Sequence, residues 1–288
     1  MRANGSALTL TLAGLLAFFL CPLAFAGAVP SESENSVEAV MRDAKWTMGP
    51  ATTPLLGVAE LKLPEGFGAV SGEDARRISE AMHNPARGSD SSMIFPVDGS
   101  WFLRFSFDDM GYVKDDEKSS LDADAILASI REGTEEANKE RAKRGWSAIR
   151  VVGWHQRPHY DEQTHNLTWA VRGEGSDGHP VINYDTRILG RRGVMRVKLV
   201  SSPEELPQAI AQFRTLLGGY GFMKGNRYAE WTQGDKVAAI GLTALITGGA
   251  AAVVVKSGLG KTLFKVLGIA ALGGLGFLGK LFKRNKTA

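Results

Sequence analysis

The chain has 288 residues, 34 Lys and Arg against 31 Asp and Glu, 44% hydrophobic residues and a single cysteine, Cys21. One thiol excludes an intramolecular disulfide, and a chain of this length buries enough apolar surface to fold without one. The basic excess sits beyond Asp235, where Lys256, Lys261, Lys265, Lys280, Lys283, Arg284 and Lys286 occur without any acid, so the preceding part is net acidic and binding of nucleic acid through bulk charge is not expected.

At the start, Arg2 precedes an apolar run from Ala7 to Leu20, followed by Pro22 and the small-large-small triplet Ala24, Phe25, Ala26. This order predicts a secretory signal peptide over residues 1–26, with Gly27 as the mature N-terminus. The run is too short to cross roughly 30 Å of hydrocarbon. Cleavage removes Cys21, leaving no thiol nucleophile or thiolate ligand. Phe18, Phe19 and Leu20 are too bulky for a lipobox.

Residues 27–236 read as one exported α+β domain with a mainly antiparallel sheet and packed helices. A helix is expected over about 37–46 and a strand over 55–63, ending at Pro64, Glu65 and Gly66. A helix follows from Ser71 as N-cap towards Pro85. Trp101, Leu103, Phe105 and Phe107 alternate with Arg104 and Ser106, the pattern of a half-buried strand. The longest helix is predicted over 123–144, capped by Asp122 and ended by a left-handed Gly145, with Ile126, Leu127, Ile130 and Ala137 on its packing face. Glu135 with Lys139 and Glu140 with Arg144 are expected to pair on its exposed face. Strands over 147–154, 164–172, 181–189 and 194–200, joined by short turns, favour antiparallel neighbours. A last helix begins after Ser202, its start delayed by Pro207.

Short motifs supply little chemistry. Gly173, Gly175 and Gly178 match G-x-G-x-x-G, but strand-like residues lie on both sides, so the match is a hairpin loop and no cofactor is expected. Residues 257–262 resemble the end of a phosphate-binding loop without its first glycine, since Val255 stands there. His155, His159, Asp161 and His165 gather around one hairpin and are competent zinc ligands, although Pro158 precludes a helix that would align the first two. The acids Asp108, Asp109, Asp115, Asp116, Glu117, Asp122 and Asp124 lack the order of a calcium loop. Arg191 and Arg192, between Gly190 and Gly193 at a hairpin tip, could clamp an acidic group. No G-x-S-x-G or S-x-x-K motif occurs.

Towards the C-terminus, Val237 to Val255 is an uncharged run that predicts one transmembrane helix, with Lys256 and the basic tail on the cytoplasmic side. Ala244, Gly248 and Ala252 lie four apart along it. Such a stripe either supports self-association in the membrane or packs against a second apolar segment. That second segment, Leu263 to Phe282, reads as an interfacial or re-entrant helix, with a second span as the alternative.

LKLPEGF at 61–67, the stretch 111–146, NYDTRILGRRGVM at 183–195 and the stretch 234–258 together resemble a family of bacterial, uncharacterised, membrane-anchored proteins, the domain of unknown function 2167. The resemblance implies an exported, membrane-anchored domain and supplies no activity or catalytic residue. The reading is therefore a single-pass inner-membrane protein with its domain in the periplasm, a non-catalytic binding or scaffolding module. Its expected partners are the lipid bilayer and another envelope protein or a second copy of itself. The alternative is a metal-dependent periplasmic hydrolase using the histidine hairpin and the acidic loop.

Overall fold

The computed structural model describes residues 36–84, 91–176 and 178–248. The expected signal peptide, Ala252, the end of the predicted membrane helix and the basic tail lie outside them.

Helix α1 (Val37–Asp43) starts at Ser36, whose hydroxyl accepts from Ala39 N at 3.2 Å. Strands β1 (Thr47–Met48), β2 (Ala51–Leu55), β3 (Ala59–Leu63) and β4 (Phe67–Ser71) follow. The single strand expected over 55–63 is instead part of a hairpin. Leu56 and Gly57 both adopt left-handed backbone (φ 57° and 70°), which folds the run back so that β2 and β3 pair antiparallel. Leucine is an unusual residue at such a position, which left Gly57 as a lone turn signal inside an apolar run.

Helix α2 (Gly72–Ala81) begins after Ser71 as expected, but the Ser71 side chain makes no capping hydrogen bond. Strands β5 (Ser92–Pro96) and β6 (Phe102–Asp108) lead to helix α3 (Ala123–Lys143). The Asp122 carboxylate accepts from Asp124 N and Ala125 N, satisfying donors left open at a helix start. Gly145, at φ 68°, follows the helix end as predicted. The exposed ion pairs are Glu136 with Lys139 and Glu140 with Lys143, one turn apart in place of the expected spacing.

The four strands expected next are β7 (Ile149–Asp161), β8 (Asn166–Gly175), β9 (Pro180–Leu189) and β10 (Val194–Ser201). Helix α4 (Leu206–Gly218) carries Pro207 in its first turn, where a missing N–H is harmless. Strand β11 (Tyr220–Phe222), a 3-10 turn (Tyr228–Glu230) and helix α5 (Leu242–Thr247) complete the described elements.

Two antiparallel sheets result: an eight-stranded one in the order β1-β4-β5-β6-β10-β9-β8-β7 and a three-stranded one in the order β11-β3-β2. One face of the large sheet packs through Leu103, Phe105, Tyr184, Val197 and Leu199 against α4 and the small sheet. The other face carries two separate apolar clusters. One joins Phe102, Val181 and Val200 to α1 and α2, and the other joins Leu167, Trp169, Val171, Leu189 and Val194 to α3 and α5. Strand β6 is half-buried as expected: Trp101, Leu103 and Phe105 are buried on one face, while Arg104 and Ser106 on the other are partly exposed.

The C-terminal segment departs most from expectation. Residues 237–241 are not helical. Tyr112 N donates to Lys236 O (2.8 Å) and Ala238 N to Tyr112 O (2.9 Å), so this chain runs beside residue 112. A Cβ on Gly111 would lie 2.7 Å from Lys236 O, so only glycine permits the approach. The helix covers Leu242–Thr247 alone and ends at Gly248, whose φ of 77° is left-handed. Leu242, Ala244, Leu245 and Ile246 are buried. The Glu117 carboxylate accepts from Thr243 N at 2.9 Å at the helix start. Residues that looked like membrane helix because they are uncharged serve here as core, where apolar residues are equally favoured. Among the described residues no helix is long and apolar enough to cross a membrane.

Candidate functional site

Between the two apolar clusters the large sheet carries a strip of charge. Along β9, Val181, Asn183, Asp185, Arg187 and Leu189 share one face, since side chains alternate along a strand. Its ends join the two clusters while its middle is polar. The same holds for β10, where Lys198 and Arg196 lie between Val200 and Val194, with Lys198 opposite Asp185 and Arg196 opposite Arg187. On β6, Arg104 lies opposite Lys198 and Asp108 opposite Val194.

This strip floors a cavity of about 130 Å³. Ser129, Ile130, Gly133 and Thr134 of α3 form one wall, and Ile240 with Ala244 to Gly248 close it from above. Within it the Asp185 carboxylate accepts from Arg187 Nη1 (3.2 Å) and from Lys198 Nζ (3.0 Å). The Arg187 guanidinium also donates to Thr186 O and lies 4.6 Å from the Trp169 ring centroid, a cation–π contact. Arg196 Nη1 reaches Asp108 Oδ2 at 3.4 Å. The side chains of Asp185 and Arg187 are each 5% exposed. Asn183 is buried, and its amide nitrogen has no hydrogen-bond partner.

Burial and the neighbouring Arg196 push the Arg187 pKa down to about 10. Burial likewise lowers Lys198, with Asp185 opposing. For Asp185 burial disfavours ionisation, but Lys198 and Arg187 outweigh it and hold the carboxyl below its ordinary range.

Asn183, Asp185, Arg187, Arg196 and Lys198 were not singled out as site residues in the sequence. A strand reading Asn-x-Asp-x-Arg ordinarily presents that face to water, and nothing local shows that two helices cover it.

Most of the residues that were singled out lie elsewhere. Arg191 does not stand free to clamp a ligand. Its guanidinium is bidentate to Asp235 (2.7 and 2.9 Å) and reaches Thr232 Oγ1 at 3.1 Å, so it fastens the C-terminal segment to the β9–β10 tip. Those donors, with Thr232 N, hold the Asp235 carboxyl well below its usual range. Arg192 is exposed, 3.6 Å from Asp109.

His155 and His159 are exposed on β7, while His165 packs on Tyr228 at 4.4 Å and contacts the Tyr160 hydroxyl through Nδ1 at 3.2 Å. Asp161 accepts from Gln163 N and Thr164 N within its own turn. Pro158 lies within the strand, whose pairing with β8 shifts register between Trp154 and Gln156 and between Gln156 and His159. Among the described residues no three His, Cys, Asp or Glu side chains converge as a metal site would require. The acids of the 108–124 stretch are dispersed: Asp108 faces the cavity, Asp109 pairs with Arg192, and Asp124 lies 3.3 Å from Arg157. Ala244 and Gly248, expected on a helix-packing stripe of a membrane helix, line the cavity.

No curated protein is similar to the chain in sequence. Two solved structures share low overall similarity. The cyanobacterial PsbP of Synechocystis sp. PCC 6803 has a TM-score of 0.35 at 10% identity, covering 69% of this chain and 99% of its own. The Ran-binding protein Mog1p of Saccharomyces cerevisiae has a TM-score of 0.31 at 9% identity, covering 66% and 99%. At such scores no role of either is carried over. The family match spans residues 47–279, taking in both sheets and every residue lining the cavity: the chain belongs to the family described as Protein of unknown function (DUF2167).

Proposed function

We propose that the protein is an exported, non-catalytic binding module of the bacterial envelope, held at the inner membrane by its apolar C-terminal end, and that the cavity beneath α5 is its ligand site. The observation that carries the binding role is the orphaned Asn183 amide nitrogen in a cavity floored by buried charge. A buried donor without a partner is unfavourable by about 1–3 kcal/mol, and a ligand acceptor would relieve it. Support for export and anchoring is the signal-like start, the uncharged 237–255 run and the basic tail. Residues 237–248 cannot close the cavity and cross a bilayer at once. Insertion of that stretch would uncover the site.

Native mass spectrometry of the full chain extracted from membranes tests the binding role. We expect a stoichiometric small-molecule adduct that is absent in Gly133→Leu. This change fills the cavity while raising helix propensity by about 0.8–1 kcal/mol, so α3 is retained. Wild-type protein that carries no adduct and gains none from a membrane extract overturns the reading.

A further inference from the structure

The charges around the cavity do not balance. Of its lining residues Arg187, Arg196 and Lys198 are cationic, whereas only Asp108 and Asp185 are anionic. Arg187 and Arg196 are cross-strand neighbours of like sign. Unbalanced charge away from water is unfavourable unless a counter-charge approaches it. Apolar walls from Ile130, Val171, Leu245 and Ile246 lower the local dielectric around them, while the Lys198 and Arg196 side chains stay 21% and 30% exposed. Donor capacity is left unused: an ammonium has three protons, of which Lys198 gives one to Asp185, and the Asn183 amide nitrogen gives none.

We infer that the cavity holds a small oxyanion group, a phosphate or a carboxylate, taken by Lys198 and the Asn183 amide nitrogen above the Arg187–Asp185 pair. The inference rests on the binding role proposed above. In it Asp185 is a positioning residue that orients Lys198 and Arg187. A volume of about 130 Å³ lies below the roughly 300–1,000 Å³ of sites for drug-sized ligands. The occupant is therefore a free small anion or the charged end of a larger molecule.

The test is thermal unfolding of the full chain in a neutral detergent, titrated with sodium phosphate or sodium acetate against sodium chloride of equal ionic strength. Phosphate or acetate raises the midpoint beyond the chloride control, and the apparent affinity falls at least tenfold in Lys198→Met and in Asn183→Leu. Asn183→Leu replaces an orphan donor with an apolar side chain and keeps the fold, so it carries the test if Lys198→Met unfolds. A short-chain phosphatidylglycerol that acts at lower concentration than phosphate identifies a lipid headgroup as the source; a response to phosphate or acetate alone identifies a free anion.

Midpoints that follow the chloride control with every anion, or affinities unchanged in Asn183→Leu, overturn the inference. If a Gly133→Leu-sensitive adduct is still found, the binding role stands and only the oxyanion fails. If neither is found, both fail.

Discussion

The two faces of the eight-stranded sheet are built on opposite terms. The face beneath α4 and the small sheet is apolar, with Leu103, Phe105, Val197 and Leu199 at most 1% exposed. The opposite face buries Asp185 and Arg187 almost as deeply but divides its apolar contacts into two clusters with charge between them. Both faces withdraw side chains from water, although on the charged face Lys198, Arg196 and Asp108 stay 21%, 30% and 35% exposed. The α4 face does so with groups that gain by leaving it, and the other with groups that lose several kcal/mol each unless partners are supplied. A face of the second kind adds little to stability, and its arrangement is best explained by what it can hold.

The largest effect belongs to the apolar face. Phe105→Ala should destabilise the domain by about 3–5 kcal/mol in urea unfolding, through lost transfer energy and the void left behind, without altering any anion response. A loss below about 1 kcal/mol would show that this face is not the main source of stability.

On the charged face, Asp185→Asn leaves Arg187, Arg196 and Lys198 with one carboxylate, and should cost about 3 kcal/mol, as breaking a buried pair does. Replacing the set together, with Asp185→Leu, Arg187→Met and Lys198→Met, should restore stability to within about 1 kcal/mol of wild type, since apolar groups of similar volume often substitute for buried ions without loss. That variant should be folded and unable to bind. Failure of the triple variant to fold would mean that the ions specify the packing of this face.

Acid should separate the faces further. Asp185 titrates below its unfolded value of about 3.9 because Lys198 and Arg187 outweigh the opposing effect of burial. A carboxyl depressed in the folded state contributes its stability above that unfolded value and loses it as pH falls through the folded one. Urea midpoints measured downward from about pH 5 should fall below about pH 4, and less steeply in Asp185→Asn than in wild type. Equal slopes would detach Asp185 from the acid response.

The smallest effect is expected from the histidine hairpin. His155→Ala with His159→Ala removes two exposed side chains and should shift stability by no more than about 0.5 kcal/mol. Stoichiometric zinc in purified protein, lost in this variant, would revive the metal reading.

Much of the architecture was legible from local signals. The cap at Asp122, the stop at Gly145, Pro207 in the first turn of α4 and the four-strand meander from β7 to β10 all follow from residues acting on their own neighbours. The β2–β3 hairpin was not legible, because its turn uses Leu56 in a conformation that leucine seldom adopts. The candidate site was not legible either. Arg191 was visible as a tip arginine, but its partner Asp235 lies in a different segment.

Sequence by itself determined the class of the fold, the single thiol, the acidic character of the region before Asp235 and the uncharged nature of residues 237–255, since composition and short-range periodicity suffice for these. Only the tertiary structure decided where that chemistry goes. An Asn-x-Asp-x-Arg strand has the same local pattern whether water or a helix covers it. The burial of Asp185 and Arg187 comes from α3 and α5 packing over them, and an uncharged stretch such as Leu242–Thr247 satisfies a protein core as well as a bilayer.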